Sequence, residues 1–256
     1  MEFGSDLGKL QRLMASSIAG ISRRHAILET LSIQPGEHIM DIGCGGGHLL
    51  EHLAKAVGGQ GHVYGLDPSK DQVAQARERC SEFDNVTLLN SYADEINLEG
   101  NSCNSVTSTQ AFDYIKNIDE ALAETTRVLI PGGAFVNVSI LWDHFKFFGA
   151  EEALNNRIHD AFRAHCSHQM LPMELPGKLT QLGYRDIRNK SLAFLITQRD
   201  QNSPAHYTEE TVAFFALNQG MSASDVMDWK AQLAKAEKEG RFGFTSFPVL
   251  TNAFLN

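Results

Sequence analysis

The sequence predicts an α/β protein built on an open, doubly wound, seven-stranded and mostly parallel sheet with helical lid insertions. Three observations carry this reading. Short apolar runs of strand length alternate with single stretches of helical periodicity, and strands separated by one helix imply parallel crossovers. Four glycines crowd into five positions, 43 and 45–47, between the first such run and the helix that follows it. The second half of the chain then adds long helical segments, rich in aromatic residues, beyond what a sheet of this kind needs.

Taken in order, residues 5–32 carry apolar positions at helical spacing interrupted by Gly20, which predicts two short helices. Pro35-Gly36 breaks that pattern before a buried strand over 38–42. Leu49, Leu50, Leu53, Ala54 and Val57 then mark one face of a helix. A strand over 62–66, a helix over 69–80 and a strand over 86–90 follow. Next come a strand over 106–110, a helix over 119–129, and a strand over 134–141 after the Pro131-Gly132-Gly133 turn.

Past Trp142 the rhythm changes. Residues 143–170 read as helical, 175–182 as a helix and 186–197 as a strand. Two more helices are expected over 208–218, capped by Thr208, and 224–239, capped by Ser222 or Ser224. A last strand over 241–247 is expected to stop at Pro248. The expected division is an N-terminal helical cap over 1–34 and a main domain over 35–256, with lid insertions at about 143–182 and 203–240.

Composition narrows the function. The chain of 256 residues is 43% hydrophobic and 21% charged, which suits one large domain with a lid and excludes disorder. Its 22 basic against 31 acidic residues give a net charge of −9. Such a surface repels a phosphate backbone unless a basic stripe overrides it. The densest basic spots, Arg23-Arg24-His25 and residues 185–190, are short and interrupted, so nucleic acid is not an expected partner. No stretch approaches the ~18 to 20 apolar residues of a membrane span and no signal-peptide layout opens the chain, which predicts a cytoplasmic protein. Cys44, Cys80, Cys103 and Cys166 form no CxxC pair, and neither a disulfide framework nor a tetrahedral zinc site is expected.

The glycine loop, Asp41-Ile42-Gly43-Cys44-Gly45-Gly46-Gly47, is the strongest chemical signal. Glycines let backbone N–H groups approach a ligand and aim a helix N-terminus at its polar end. A dinucleotide fingerprint started at Gly43 needs a small residue at position 48, where His48 stands. Asp41 would repel a pyrophosphate but can pair with a cationic amine, directly or through water, so the head group expected is zwitterionic or positive. Asp67 lies 20 residues beyond Gly47, a span of one helix plus one strand that brings it within reach of a ligand on that loop.

These residues resemble the first motif of the class I S-adenosylmethionine-dependent methyltransferases, and the flanking order agrees. Gly65-Leu66-Asp67-Pro68-Ser69 is similar to the family's acidic second motif, Ser91-Tyr92-Ala93-Asp94 to its third, and residues 107–112 with 127–133 to the small-molecule branch that includes the ubiquinone and menaquinone biosynthesis enzymes. The resemblance covers residues 36–141 and implies a Rossmann-like fold. It implies S-adenosylmethionine as cofactor, S-adenosylhomocysteine as product and a small-molecule acceptor at O, N or S. It also implies a cofactor site of Asp41, Gly43, Cys44, Gly45, Asp67, Pro68, Gln72, Ala93, Asp94, Gln110 and Ala111, with Asp67 on the ribose hydroxyls and Asp94 on the adenine amino group. The sequence departs from the family pattern at Asn104-Ser105-Val106, where an acidic residue is common, and in the extra glycine at 46–47. A cofactor-binding regulator that had lost catalysis, or an NAD-dependent oxidoreductase, are the alternative readings.

Methyl transfer from a sulfonium depends mainly on positioning, and a base is needed only where the acceptor keeps its proton near neutral pH. Tyr114 after the fourth strand and His144 after the fifth are the candidate catalytic residues. His48-Leu49-Leu50-Glu51-His52 matches an inverted zinc-peptidase pattern, and His165-Cys166-Ser167-His168 offers soft ligands. The first lies on the helix face opposite the leucines and the second lacks a spaced partner set, so no metal is expected at either.

Overall fold

The computed structural model describes residues 12–200 and 203–256. In chain order its elements are α1 (Ile18–Leu31), β1 (His38–Ile42), α2 (His48–Val57), β2 (His62–Leu66), α3 (Lys70–Arg79), β3 (Val86–Leu89), β4 (Cys103–Thr109), α4 (Ile118–Val128) and β5 (Leu129–Ile140). There follow β6 (Lys146–Phe148), α5 (Glu152–Arg163), α6 (Leu171–Gln181), β7 (Tyr184–Ser191), β8 (Phe194–Ile196), α7 (Pro204–Asn218), α8 (Ala223–Lys238), β9 (Gly243–Ser246) and β10 (Pro248–Leu255). The first expected N-terminal helix falls largely outside the described residues, although residues 12–16 are helical.

The main sheet runs β3-β2-β1-β4-β5-β10-β7. β1 pairs in parallel with both β2 and β4, and β10 alone runs opposite to the other six strands. The chain order reverses between β1 and β4, the place where sheets of this kind open a crevice beyond their carboxyl ends. One face is sealed by α1 and α2, whose Ile27, Leu50 and Leu53 pack with Ile39 and Val138. The other is sealed by α4 and α6, whose Leu122, Leu175 and Leu179 pack with Val106 and Phe135. The stretch expected as one insertion over 143–182 therefore divides: α6 belongs to the sheet core, and only β6 and α5 join the lid.

The lid has a small antiparallel sheet of its own, β6-β9-β8, which the sequence reading did not anticipate. Residues 143–170 are consequently not helical throughout, and the expected strand over 186–197 is two strands in different sheets. The final strand also differs from the expected one. Residues 243–246 belong to the lid sheet, and Pro248 opens the main-sheet strand β10 instead of ending one. A proline, lacking an N–H, is tolerated at the first residue of a strand. The cap of α7 is Ser203, whose Oγ accepts from Ala205 N–H, and not Thr208, which is buried one turn into the helix. Ser222 caps α8 by accepting from Asp225 N–H. Pro131-Gly132-Gly133 is a bulge within β5, marked by the register shift opposite Cys103 and Ser105.

Aromatic packing and satisfied polar bonds hold the lid together. Phe147 and Phe244 stack at 4.6 Å, with Trp229 edge-on to Phe147 at 5.4 Å. Trp229 Nε1 donates to Asn155 Oδ1 at 2.9 Å, and Asn155 donates onward to the Phe147 carbonyl at 2.8 Å. Arg199 grips Glu209 through two hydrogen bonds, at 2.8 and 2.6 Å, a forked geometry that fixes orientation as well as charge.

Candidate functional site

The site begins with the turn from β1 into α2. Gly43 and Cys44 both donate backbone N–H bonds to the Leu66 carbonyl, at 2.7 and 3.0 Å, which ties the loop to the end of β2. Gly43 has φ +71°, and a Cβ built there would lie 2.2 Å from the Cβ of Ala111. Both the conformation and the space exclude a side chain.

Asp67 stands at the carboxyl end of β2. Its Oδ2 accepts from Gly45 N–H at 3.0 Å and its Oδ1 from Ser69 N–H at 2.9 Å, so the backbone fixes both oxygens. Burial pushes its carboxyl up from the usual range, and the two N–H bonds act against that. Asp41 is more deeply enclosed. Burial pushes it up to about 7, opposed by a 3.0 Å hydrogen bond from Thr107 Oγ1 and reinforced by the charge of Asp67. A cation arriving between these carboxylates would favour their ionised forms.

At the ends of β3 and β4 the wall continues. Asp94 accepts from Asn117 Nδ2 at 3.3 Å, and Ala93 beside it is buried. Gln110 has φ +56°, a left-handed conformation unusual for a residue other than glycine. Its N–H donates to the Val138 carbonyl at 2.7 Å, and its Oε1 accepts from Arg23 Nη1. All eleven residues expected at the cofactor, together with Tyr114, line a single cavity of about 560 Å³, within the usual range for small-molecule sites.

His144 is not brought there. The 3₁₀ turn Trp142–His144 rotates Trp142 inward and leaves His144 exposed against Phe247 at 5.9 Å, outside the cavity wall. Asp143 faces outward with it, paired to Arg163 at 2.7 Å.

The histidine that does reach the cavity is His165, from the cluster first weighed as metal ligands. It is 4% exposed and stacked on Phe162 at 3.9 Å, with Trp142 edge-on at 4.3 Å and Tyr114 at 5.7 Å. Its Nδ1 lies 2.7 Å from the Phe162 carbonyl, so that nitrogen carries the proton, and Nε2 is left an unpartnered acceptor among the described residues. Burial pushes the imidazole down to about 4, keeping it neutral. Among the described residues no three His, Cys, Asp or Glu side chains gather as a metal ion requires.

Two further residues escaped the sequence reading. Asp113 is fully buried and accepts from Ile140 N–H at 3.3 Å and Trp142 Nε1 at 3.1 Å. Its carbonyl accepts from Ser167 and His168 N–H, so it locks the Trp142 turn and the His165 segment to one point. Burial pushes its carboxyl up to about 7. Arg23 on α1 reaches the same cavity from above. An arginine beside a strand-end glutamine leaves no local sequence pattern beyond the short basic spot Arg23-Arg24-His25 on the expected cap.

Comparison with known proteins adds the following. A family model described as a methyltransferase domain matches residues 33–207. A protein of transposon Tn4556 of Streptomyces fradiae is 35% identical over 130 residues, covering 51% of this chain and 38% of its own. Demethylmenaquinone methyltransferase of Staphylococcus aureus is 33% identical over 113 residues, covering 44% of this chain and 47% of its own. The chain thus matches half or less of the length of these relatives. Phosphoethanolamine N-methyltransferase 2 of Haemonchus contortus, solved with S-adenosylhomocysteine, superposes with a TM-score of 0.60 at 20% identity, covering 91% of this chain and 52% of that one.

Proposed function

The chain belongs to the methyltransferase domain family, and from that premise we propose that it carries a methyl group from S-adenosylmethionine to a small molecule held under the aromatic lid. The observation that supports this most is the convergence on one cavity of every residue the motifs assign to the cofactor, with aromatic walls continuing beyond them. Among the described residues no helix is long and apolar enough to cross a membrane, and a cytoplasmic setting is part of the proposal.

The cofactor supplies a methyl already activated on a sulfonium. The chain's own residues supply placement. The fixed carboxylate of Asp67 would hold the ribose hydroxyls, Asp94 the adenine amino group, and Asp41 the ammonium. Gly43 and Gly45 let the backbone approach closely. The lid rings Trp142, Phe162 and Phe215 exclude water from the space beside Tyr114, where alignment and desolvation provide much of the rate. Where the acceptor is a hydroxyl, His165, and not His144, is the histidine beside it, and an imidazole held down to about 4 aligns the acceptor and excludes water and does not take its proton. Asp113 positions that histidine through the backbone of 167–168.

The test is calorimetric titration with S-adenosylhomocysteine, followed by incubation of the protein and labelled S-adenosylmethionine with a metabolite extract. Micromolar binding and transfer of label to a small molecule are expected. Binding without any transfer would favour the regulator, and no binding would reject the reading.

A further inference from the structure

Arg23 is 6% exposed, lines the cavity, and finds no ion-pair partner among the described residues. One guanidinium nitrogen donates to Gln110 Oε1, while Nε, also buried, has no partner among the described residues. The acids facing it are Asp113 and the Tyr114 phenol. Asp113 Oδ1 is engaged by Ile140 and Trp142, its Oδ2 makes no hydrogen bond to Arg23 or to any other described residue, and burial pushes its carboxyl up to about 7, which weakens it as a counter-charge. A guanidinium cannot shed its charge, so a buried arginine with a spare N–H calls for an anion.

The position of Arg23 says which molecule brings it. The glycine loop has cations of its own: Arg79 Nε donates to the Gly46 carbonyl at 2.8 Å, the Arg12 stem lies 3.6 Å from a Cβ built on Gly46, and Arg24 faces Arg79 and Glu51. Arg23 bonds Gln110, where the cofactor wall ends, and faces Asp113 and Tyr114, beyond which His165, Phe162 and Trp142 form a wall of rings.

We propose that Arg23 recognises an anionic group on the methyl acceptor, which is therefore an aromatic carboxylate or a close equivalent. Its ring lies against Trp142 and Phe162, and its charge pairs with the guanidinium. This rests on the methyltransferase reading of the cavity.

The experiment uses the full chain saturated with S-adenosylhomocysteine. Benzoate and 1-naphthoate are titrated against benzamide and 1-naphthamide and followed by ligand-observed NMR. The expected result is at least ~10-fold tighter binding of a carboxylate than of its amide, as a charge-assisted bond in a buried site gives. Arg23→Met should erase that preference and Arg23→Lys should keep part of it, with affinity for S-adenosylhomocysteine within about threefold of wild type in both. The proposal is overturned if no carboxylate outbinds its amide in the wild type, or if the preference survives Arg23→Met. It is also overturned if Arg23→Met weakens S-adenosylhomocysteine more than ~10-fold while 5′-methylthioadenosine, which lacks the amino acid, binds as before. The anion would then be the cofactor's own carboxylate. Should Arg23→Met not fold, the wild-type preference and Arg23→Lys still decide. Absence of S-adenosylhomocysteine binding to the wild type is a different result, since it rejects the methyltransferase reading itself.

Discussion

The two walls of the cavity are made in different ways. On the wall proposed for the cofactor the backbone does the positioning: Asp67 is clamped by the N–H groups of Gly45 and Ser69, and the loop before it by the Leu66 carbonyl. On the lid side, side chains position one another, as Trp229 with Asn155, Arg199 with Glu209, and His165 between Phe162 and Trp142. A backbone-built wall tolerates few residue types at each position, because φ and close approach are fixed there. A wall built of side chains can be repacked with other residues of similar volume.

Gly43→Ala tests that contrast at its most rigid point. A methyl group at φ +71° and 2.2 Å from Ala111 must move either the loop or β4. Overpacking of about 1–3 kcal/mol plus left-handed strain of about 1–2 kcal/mol should lower Tm by roughly 5–10 °C and abolish measurable S-adenosylhomocysteine binding. A variant that binds normally by calorimetry would show the loop to be adaptable after all.

Asp67→Ala should fold and lose about 10²- to 10⁴-fold in cofactor affinity, since two charge-assisted bonds of ~1.5–3 kcal/mol each disappear. On the opposite wall, His165→Ala should leave that affinity within about threefold and lower kcat by about 10-fold through lost alignment of the acceptor. His144→Ala should change neither, because the ring lies outside the cavity. Steady-state kinetics that reversed the two histidines would place the acceptor at the fifth-strand turn instead.

Asp41 gives a smaller, graded effect. Its folded value near 7 lies above the ordinary 3.8, so between about pH 4 and 7 the unfolded chain binds fewer protons than the folded one at this site. Stability of the ligand-free protein should therefore fall as pH rises through that window. The proposed pairing with the cofactor ammonium requires the ionised form, so affinity for S-adenosylhomocysteine should rise with pH, by at most ~10-fold per unit, and level off above about 7. Asp41→Asn should flatten the profile measured by titration across pH 5 to 8.

The same contrast explains what the sequence disclosed. Gly43, Asp67 and the strand ends were legible because a glycine at positive φ, or an acid at the end of a strand, is a local requirement that leaves a local mark. His165, Arg23 and Asp113 were not, because their roles come from contacts across tens of residues. In Arg23-Arg24-His25 only a short basic spot shows, and in His165-Cys166-Ser167-His168 only soft ligands. Residues 241–255 fail for a related reason. Two strands in different sheets follow one another with a single residue, Phe247, between them, and no local rule marks where a chain changes sheets. His144 was favoured for its place after β5, yet whether a side chain faces in or out of a 3₁₀ turn is set by Asp113 binding the Trp142 indole, 29 positions away.

The central claim is that one cavity holds the cofactor on its backbone-built wall and presents the methyl to the lid-built one. A crystal structure of the complex with S-adenosylhomocysteine tests it most directly. The account predicts both ribose hydroxyls on the Asp67 carboxylate, the adenine beside Asp94, and the sulfur facing Tyr114 and His165. A ligand bound elsewhere, or one whose sulfur faces Asp94 with its adenine under the lid, would contradict it.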